Sequence, residues 1–443
     1  MLKKLIAASL LLTPAAPALD IQPLLDKGDF VAAKAQLKSA IAASPNDHDA
    51  RLALGVTTFL AGIEEFAQTV YAHGLREDLG GEMGMMIPAS LPVRFNPEPL
   101  ETSADDVVTM LERMEDAMAE VDTILEPLGD HEAHFDLRIG TVKMDLNGDG
   151  AYTDDEGLWR LFNAVTNPQP RWAAVVDEDG NPPVPEMPEE ARTFVLGLDT
   201  ADGYWLRGYC NVFGAVADVV LAYDGTELFE RTGHLFFYHV SSPYPWLQMP
   251  GASQGFDAEP ILDWVAALHL INQPLRDANR MADAHAHLLN VIELSRLTWA
   301  AARAETDNAH EWLPAPGQTG VIGVDITDAQ VAAWLAMLDE SERILNGELL
   351  IPFWRGAGEA LFDEDGEWRE DANEVEVGMT HPRLGVNLKK VFMEPTRFDL
   401  LLWLQGTGAA PFLEEGPQAE SGVWRRLNET FGRNMPGFAV WIN

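Results

Sequence analysis

The chain has 443 residues, of which 47% are hydrophobic and 23% charged. This is the composition of a folded globular protein of two or three domains, and it excludes a disordered, collagenous or rod-like description of the whole. Lys and Arg number 30 against 70 Asp and Glu, a formal net charge of −40, which repels phosphate backbones and anionic lipid and argues against nucleic-acid and membrane-surface binding. Cations, neutral ligands and basic proteins are the partners such a surface favours, although the same charge also serves solubility alone.

In chain order, Met1-Leu2-Lys3-Lys4 is a short basic start, Leu5 to Leu12 an apolar run, and Ala16-Pro17-Ala18 a small-residue site ahead of Leu19-Asp20. That order predicts a secretory signal peptide over 1–18 and a periplasmic or secreted product. No later stretch reaches about 18 uninterrupted apolar residues, so no membrane span is expected. The single cysteine, Cys210, excludes an internal disulfide. Its apolar surroundings, Tyr204 to Phe213, predict a buried and inert thiol.

Gly28 and Gly62 stand 34 residues apart, as do Ala33 and Ala67, with Ala40, Pro45 and Leu54-Gly55 between them. Residues 24–75 thereby resemble about one and a half tetratricopeptide repeats. The resemblance implies antiparallel helices, with a helix starting at Asp29-Phe30 and a turn at Ser44-Pro45-Asn46-Asp47, and a place for a protein partner. A repeat array needs about three units to stand alone. The other reading is therefore an α-hairpin packed on the rest of the chain.

Gly80 to Pro99 has no period and reads as a connector or flap. Ser103, with Asp106 three residues on, starts a helix through a capping box, and Val107, Leu111, Met114, Met118, Val121, Leu125 and Leu128 draw one apolar stripe along it. Residues 166–190 are Pro-rich, with Asp179-Gly180 marking a turn. Long buried helices are predicted from about Leu206 to Tyr223, from Pro274 to Glu305 with Met281, His285, Leu288, Ile292 and Trp299 on one face, and from Thr327, capped by Gln330, to Asn346-Gly347. From Leu349 onward, short apolar segments alternate with Gly and Pro turns. The fold class that follows is mainly α: tetratricopeptide-like hairpins over 19–79, a helix with a calcium-loop region over 80–190, and a larger helical body with minor β-hairpins over 191–443.

The sharpest motif is Asp145-Leu146-Asn147-Gly148-Asp149-Gly150-Ala151-Tyr152-Thr153-Asp154-Asp155-Glu156, which has the EF-hand spacing of D-x-[DN]-x-[DN]-G followed by five residues and Glu. It resembles an EF-hand calcium loop over 12 residues. The resemblance implies Ca²⁺ held by Asp145, Asn147 and Asp149, the carbonyl of Ala151, Thr153 and both oxygens of Glu156, with Gly150 allowing the bend. Leu158, Leu161, Phe162 and Val165 supply the face of an exiting helix. Two departures stand out: the entering segment Phe135 to Gly140 alternates like a strand, and Tyr152 replaces the usual aliphatic. No second complete loop pairs with this one, as in the calcium sites of extracellular modules.

Other candidates have weaker patterns. Asp363-Glu364-Asp365-Gly366 and Asp177-Glu178-Asp179-Gly180 lack the first ligand position and read as turns. His131 and His134 are three apart beside carboxylates, which suits zinc on a helix and solvent in a loop. His285 lies on an apolar stripe that His287 cannot share, and so reads as a hydrogen-bonded core histidine. His234 and His239 would point apart on a strand. Arg207, Asp218, Asp224 and Arg276, set in apolar helical surroundings, require charge partners. Neither G-x-S-x-G nor H-E-x-x-H occurs. The sequence thus reads as an exported, acidic, non-enzymatic calcium-binding scaffold or binding protein of the cell envelope. Two alternatives stand beside it: a calcium-dependent envelope hydrolase using paired carboxylates, and a ligand-binding module built on the aromatic segment 236–246.

Overall fold

A computed structural model describes residues 20–76, 95–160, 187–249, 259–306, 308, 310–321, 326–355, 384–419 and 421–431. The signal-peptide segment, most of the 80–99 connector, nearly all of the Pro-rich 166–190 stretch and the Asp363 turn lie outside these residues. Over what is described the chain is mainly α with small antiparallel sheets. No described helix is long and apolar enough to cross a membrane.

A short helix α1 (Gln22–Leu25) leads into α2 (Phe30–Ala43) and α3 (His48–Ala72). The N-terminal amides of α2 and α3 are capped by Asp29 and Asp47, which accept from Ala32 N and Ala50 N. Next comes α4 (Ala104–Leu125), where Ser103 and Asp106 form the full reciprocal capping box. Along its stripe Met118, Val121, Leu125 and Leu128 are fully buried. The long pair α5 (Thr200–Leu221) and α6 (Ala278–Ala302) follows, then α7 (Asp328–Leu345), which Thr327 and Gln330 cap, and α8 (Ser421–Phe431).

Successive long helices pack as neighbours, α2 on α3, α3 on α4, α4 on α5, α5 along α6, α6 on α7 and α7 on α8. One hydrophobic core runs through all of them, from Ile21 and Leu25 through Leu52, Met118 and Leu125 to Trp299, Trp334 and Leu427. Small residues set the closest approaches in the N-terminal layers. A Cβ added at Gly55 would lie 2.3 Å from Leu125, and one at Gly62 would lie 3.2 Å from Ala117, so both glycines of α3 face α4.

The sequence places the start of α5 too late. It begins at Thr200 because Asp199 and Asp202 make a capping box ahead of the apolar run. His234 and His239 do not sit on a strand either: His234 lies in a 3₁₀ turn, Gly233–Leu235, and the amides of Phe236 and Phe237 both donate to the Gly233 carbonyl.

Strand β1 (His134–Leu137) pairs antiparallel with β2 (Leu196–Asp199), His134 opposite Asp199 and Leu137 opposite Leu196. The entering side of the calcium loop is therefore a strand and a 3₁₀ turn (Ile139–Thr141) where an EF-hand has a helix. The remaining sheets join 272–273 to 398–399, and 351–352 to 384–386 to 413–415.

Candidate metal centre

The twelve-residue loop is anchored at its base and open at its crown. Lys143 and Gly157 form an antiparallel bridge, and Leu158 N donates to Val142 O at 2.9 Å, so the two ends of the loop are drawn together. Lys143 N also donates to Leu25 O, which ties the base to the α1–α2 turn. The first and last acids are buried: Asp145 is 5% and Glu156 4% exposed. Asn147 is half-buried, while Asp149, Ala151 and Thr153 are exposed.

Asp145 organises the bend. Its Oδ1 accepts from Gly148 N at 2.7 Å and Asp149 N at 3.1 Å, and its Oδ2 accepts from Gly150 N at 2.9 Å. Gly150 has φ +77°, a conformation side-chain-bearing residues rarely adopt. Asp149 accepts from Ala151 N at 2.7 Å and from Asn147 Nδ2 at 3.1 Å, and Thr153 Oγ1 donates to Glu156 Oε2 at 2.9 Å. On the exiting side Leu158 and Trp159 are buried, and Trp159 Nε1 donates to Asp154 O at 2.9 Å. Leu161, Phe162 and Val165 lie outside the described residues.

Helix α3 supplies two residues that nothing in the loop motif announces. Glu64 Oε2 accepts from Asp145 N at 2.7 Å, and Gln68 Nε2, one turn on, donates to Asp145 O at 2.7 Å. Burial, aided by the charges of Asp145 and Glu156, pushes Glu64 up to about 7. The donor set is therefore all oxygen, with buried acids at both ends and a third carboxylate behind them, which suits a hard cation. The carboxylate oxygens of Asp145, Asp149 and Glu156 do not all lie within 4.8 Å of one another.

A tighter acidic group sits elsewhere. Among the described residues, Asp199, Glu305 and Glu311 each offer one carboxylate oxygen, and these three oxygens lie within 4.8 Å of one another. Buried Asp202 adjoins them at the start of α5. Burial, together with the charge of Asp199 and a hydrogen bond between the two carboxyl groups, raises Glu305 to about 9, and burial beside Asp199 raises Asp202 well above the usual carboxylate range. Comparison with family models, with curated proteins and with solved structures returned no match to this chain. Both acidic groups are therefore interpreted from their own geometry.

The other candidates resolve into structural roles. His131 stacks on His48, ring centroids 4.2 Å apart, while His134 reaches Asp136 at 3.1 Å, so the two spaced histidines do not converge on a metal. His285, buried, bonds Leu345 O at 2.8 Å as a core histidine. Arg207 pairs with Asp122 at 2.6 Å, and Asp218 with Arg280 at 2.8 Å. Asp224 and Arg276 fall in connections between helices, where Asp224 accepts from Thr226 N. Burial pushes the Cys210 thiol far above its ordinary value, as an inert core cysteine requires. In the aromatic segment Phe237 and Val240 pack into a small core with Met110, and Trp246 stays 62% exposed.

Proposed function

We propose that this chain is an exported, acidic calcium-binding protein of the cell envelope, periplasmic or secreted, acting as a scaffold or binding protein and not as an enzyme. The observation that carries the reading is the 145–156 loop: a complete EF-hand ligand spacing whose terminal acids, Asp145 and Glu156, are buried and whose ends are fastened by the Lys143–Gly157 bridge. Asp145, Asn147, Asp149, Thr153, Glu156 and the Ala151 carbonyl would hold Ca²⁺, and the ion would supply the positive charge that the buried carboxylates lack. The leader supports export. The hairpin of α2 and α3 serves packing and offers a face for a protein partner.

Asp199 and Glu305 hydrogen-bond one another directly, closer than the about 5–9 Å spacing of a glycosidase acid pair. Phe237 is buried beside Met110, so a ligand site on the aromatic segment would rely on the exposed Trp246.

Flow dialysis with radioactive calcium tests the reading. The loop should contribute one equivalent with a dissociation constant of about 10⁻⁵ to 10⁻³ M, the range of extracellular modules, given three formal carboxylates and no paired loop. Glu156→Gln should remove that equivalent. Unchanged binding in the variant would contradict the reading.

A further inference from the structure

We propose that Asp199, Glu305 and Glu311, with the buried Asp202 beside them, form a second divalent-cation site, of the calcium class, where the start of α5 meets the end of α6. Three backbone features assemble it. Strand β2 ends at Asp199 and runs beside the 310–311 segment, Gly197 N donating to His310 O at 2.9 Å and Gly197 bridging to Glu311. Helix α6 ends at Ala302, three residues before Glu305. Ala201, Ala302 and Ala315 pack together as a cluster of small buried side chains, which lets the helix start approach the helix end closely. Gln318 then fixes the far side, its Oε1 accepting from Ala315 N at 2.5 Å and its Nε2 donating to Glu305 Oε2 at 3.3 Å.

The oxygens left over point to a ligand. Asp199 Oδ1 is spent on the helix amides of Ala201 and Asp202, at 2.6 and 3.3 Å. Asp202 Oδ2 accepts from Asp199 N at 3.0 Å. Asp202 is only 4% exposed, and its other oxygen, Oδ1, is buried with no hydrogen-bond partner. That orphaned oxygen belongs to a carboxylate held against Asp199 and acted on by the charges of Asp199, Glu305 and Glu311. A buried carboxylate oxygen without a donor is costly, and among the described residues none of Asp199, Asp202 and Glu305 forms an ion pair with Lys, Arg or His. A cation held by Asp199, Glu305 and Glu311 would offset the uncompensated charge, and it would lie beside the buried, donorless oxygen of Asp202.

The chemistry of the donors selects the ion. All are carboxylate oxygens, with no imidazole or thiolate among them, so zinc and copper lack the ligands they prefer. Oxygens on opposite sides of Ca²⁺ are separated by about 4.6–5.2 Å, twice the usual Ca–O distance. One carboxylate oxygen from each of Asp199, Glu305 and Glu311 lies within 4.8 Å of the others, close enough for all three to reach one such ion. The β1–β2 ribbon joins this site to the calcium loop, since β1 leads into the loop and β2 ends on Asp199.

Calorimetric titration of the full chain with CaCl₂, after stripping by chelator, tests the proposal. The Glu156→Gln variant leaves the second cluster untouched and should retain one calcium equivalent. Adding Glu305→Gln to it should abolish that binding, and adding Asp202→Asn instead should weaken it roughly tenfold or more, with circular dichroism unchanged in both. If Glu156→Gln binds no calcium, the proposal is overturned while the loop reading stands. If Glu305→Gln alone binds none and Glu156→Gln still binds one, this site stands and the loop reading fails.

Discussion

Gly28 shows how one residue couples the N-terminal hairpin to the 145–156 loop. It has φ +73°, and a Cβ there would lie 2.0 Å from Cδ1 of Tyr152, the loop residue that replaces the usual aliphatic. A left-handed alanine costs about 1–2 kcal/mol, and displacing the tyrosine ring adds to it. Gly28→Ala should therefore destabilise the protein by about 2–3 kcal/mol in chemical denaturation. Tyr152→Ala made beforehand should cut that cost to the backbone share. Equal costs in the two backgrounds would mean that ring and glycine do not interact. The 34-residue spacing marks Gly28 as a close-packing position. Sequence spacing does not disclose that the tyrosine of a loop more than 120 residues later lies against it.

At the scale of elements, much of the helical layout is legible because capping chemistry is local. Ser103 with Asp106 and Thr327 with Gln330 mark helix starts where the structure has them, and the turn at Asn346-Gly347 ends α7. The start of α5 is obscured because its first turn, Thr200 to Gly203, is small and polar. The apolar run at Leu206 therefore dominates the pattern over the Asp199–Asp202 capping box ahead of it. The α2–α3 hairpin offers a direct check on packing. Ala33 is completely buried, whereas Ala67 is half-buried. Ala33→Leu should thus overpack the core and cost about 1–3 kcal/mol, while Ala67→Leu should cost clearly less. Thermal unfolding of the two variants separates these outcomes, and equal losses would contradict the placement of Ala33 as the inner residue.

For the whole molecule, the two acidic groups differ in how far the sequence reveals them. The loop is legible because its ligands fall within 12 residues, a spacing fixed by the geometry of the ion. Its support from Glu64 and Gln68 is not, because these residues reach it from α3 across a tertiary contact. The Asp199, Asp202, Glu305 and Glu311 group has no motif at all: more than 100 residues separate its halves, and only the pairing of β2 with the 310–311 segment and the alanine contact between α5 and α6 unite them. On a chain of net charge −40, a cation bound at either group would offset repulsion that opposes the compact state.

The most direct measurement of the central claim is thermal unfolding of the wild type and Glu156→Gln, each in calcium and in chelator. An ion that binds the native loop and not the unfolded chain stabilises by mass action, by about 2.7 kcal/mol when calcium is a hundredfold above its dissociation constant. The account predicts a clear rise in melting temperature with calcium in the wild type and a distinctly smaller rise in Glu156→Gln, which keeps the fold and loses the closing bidentate ligand. An identical calcium shift in the two proteins, or no shift in the wild type, would contradict it and leave residues 145–156 as an acidic turn.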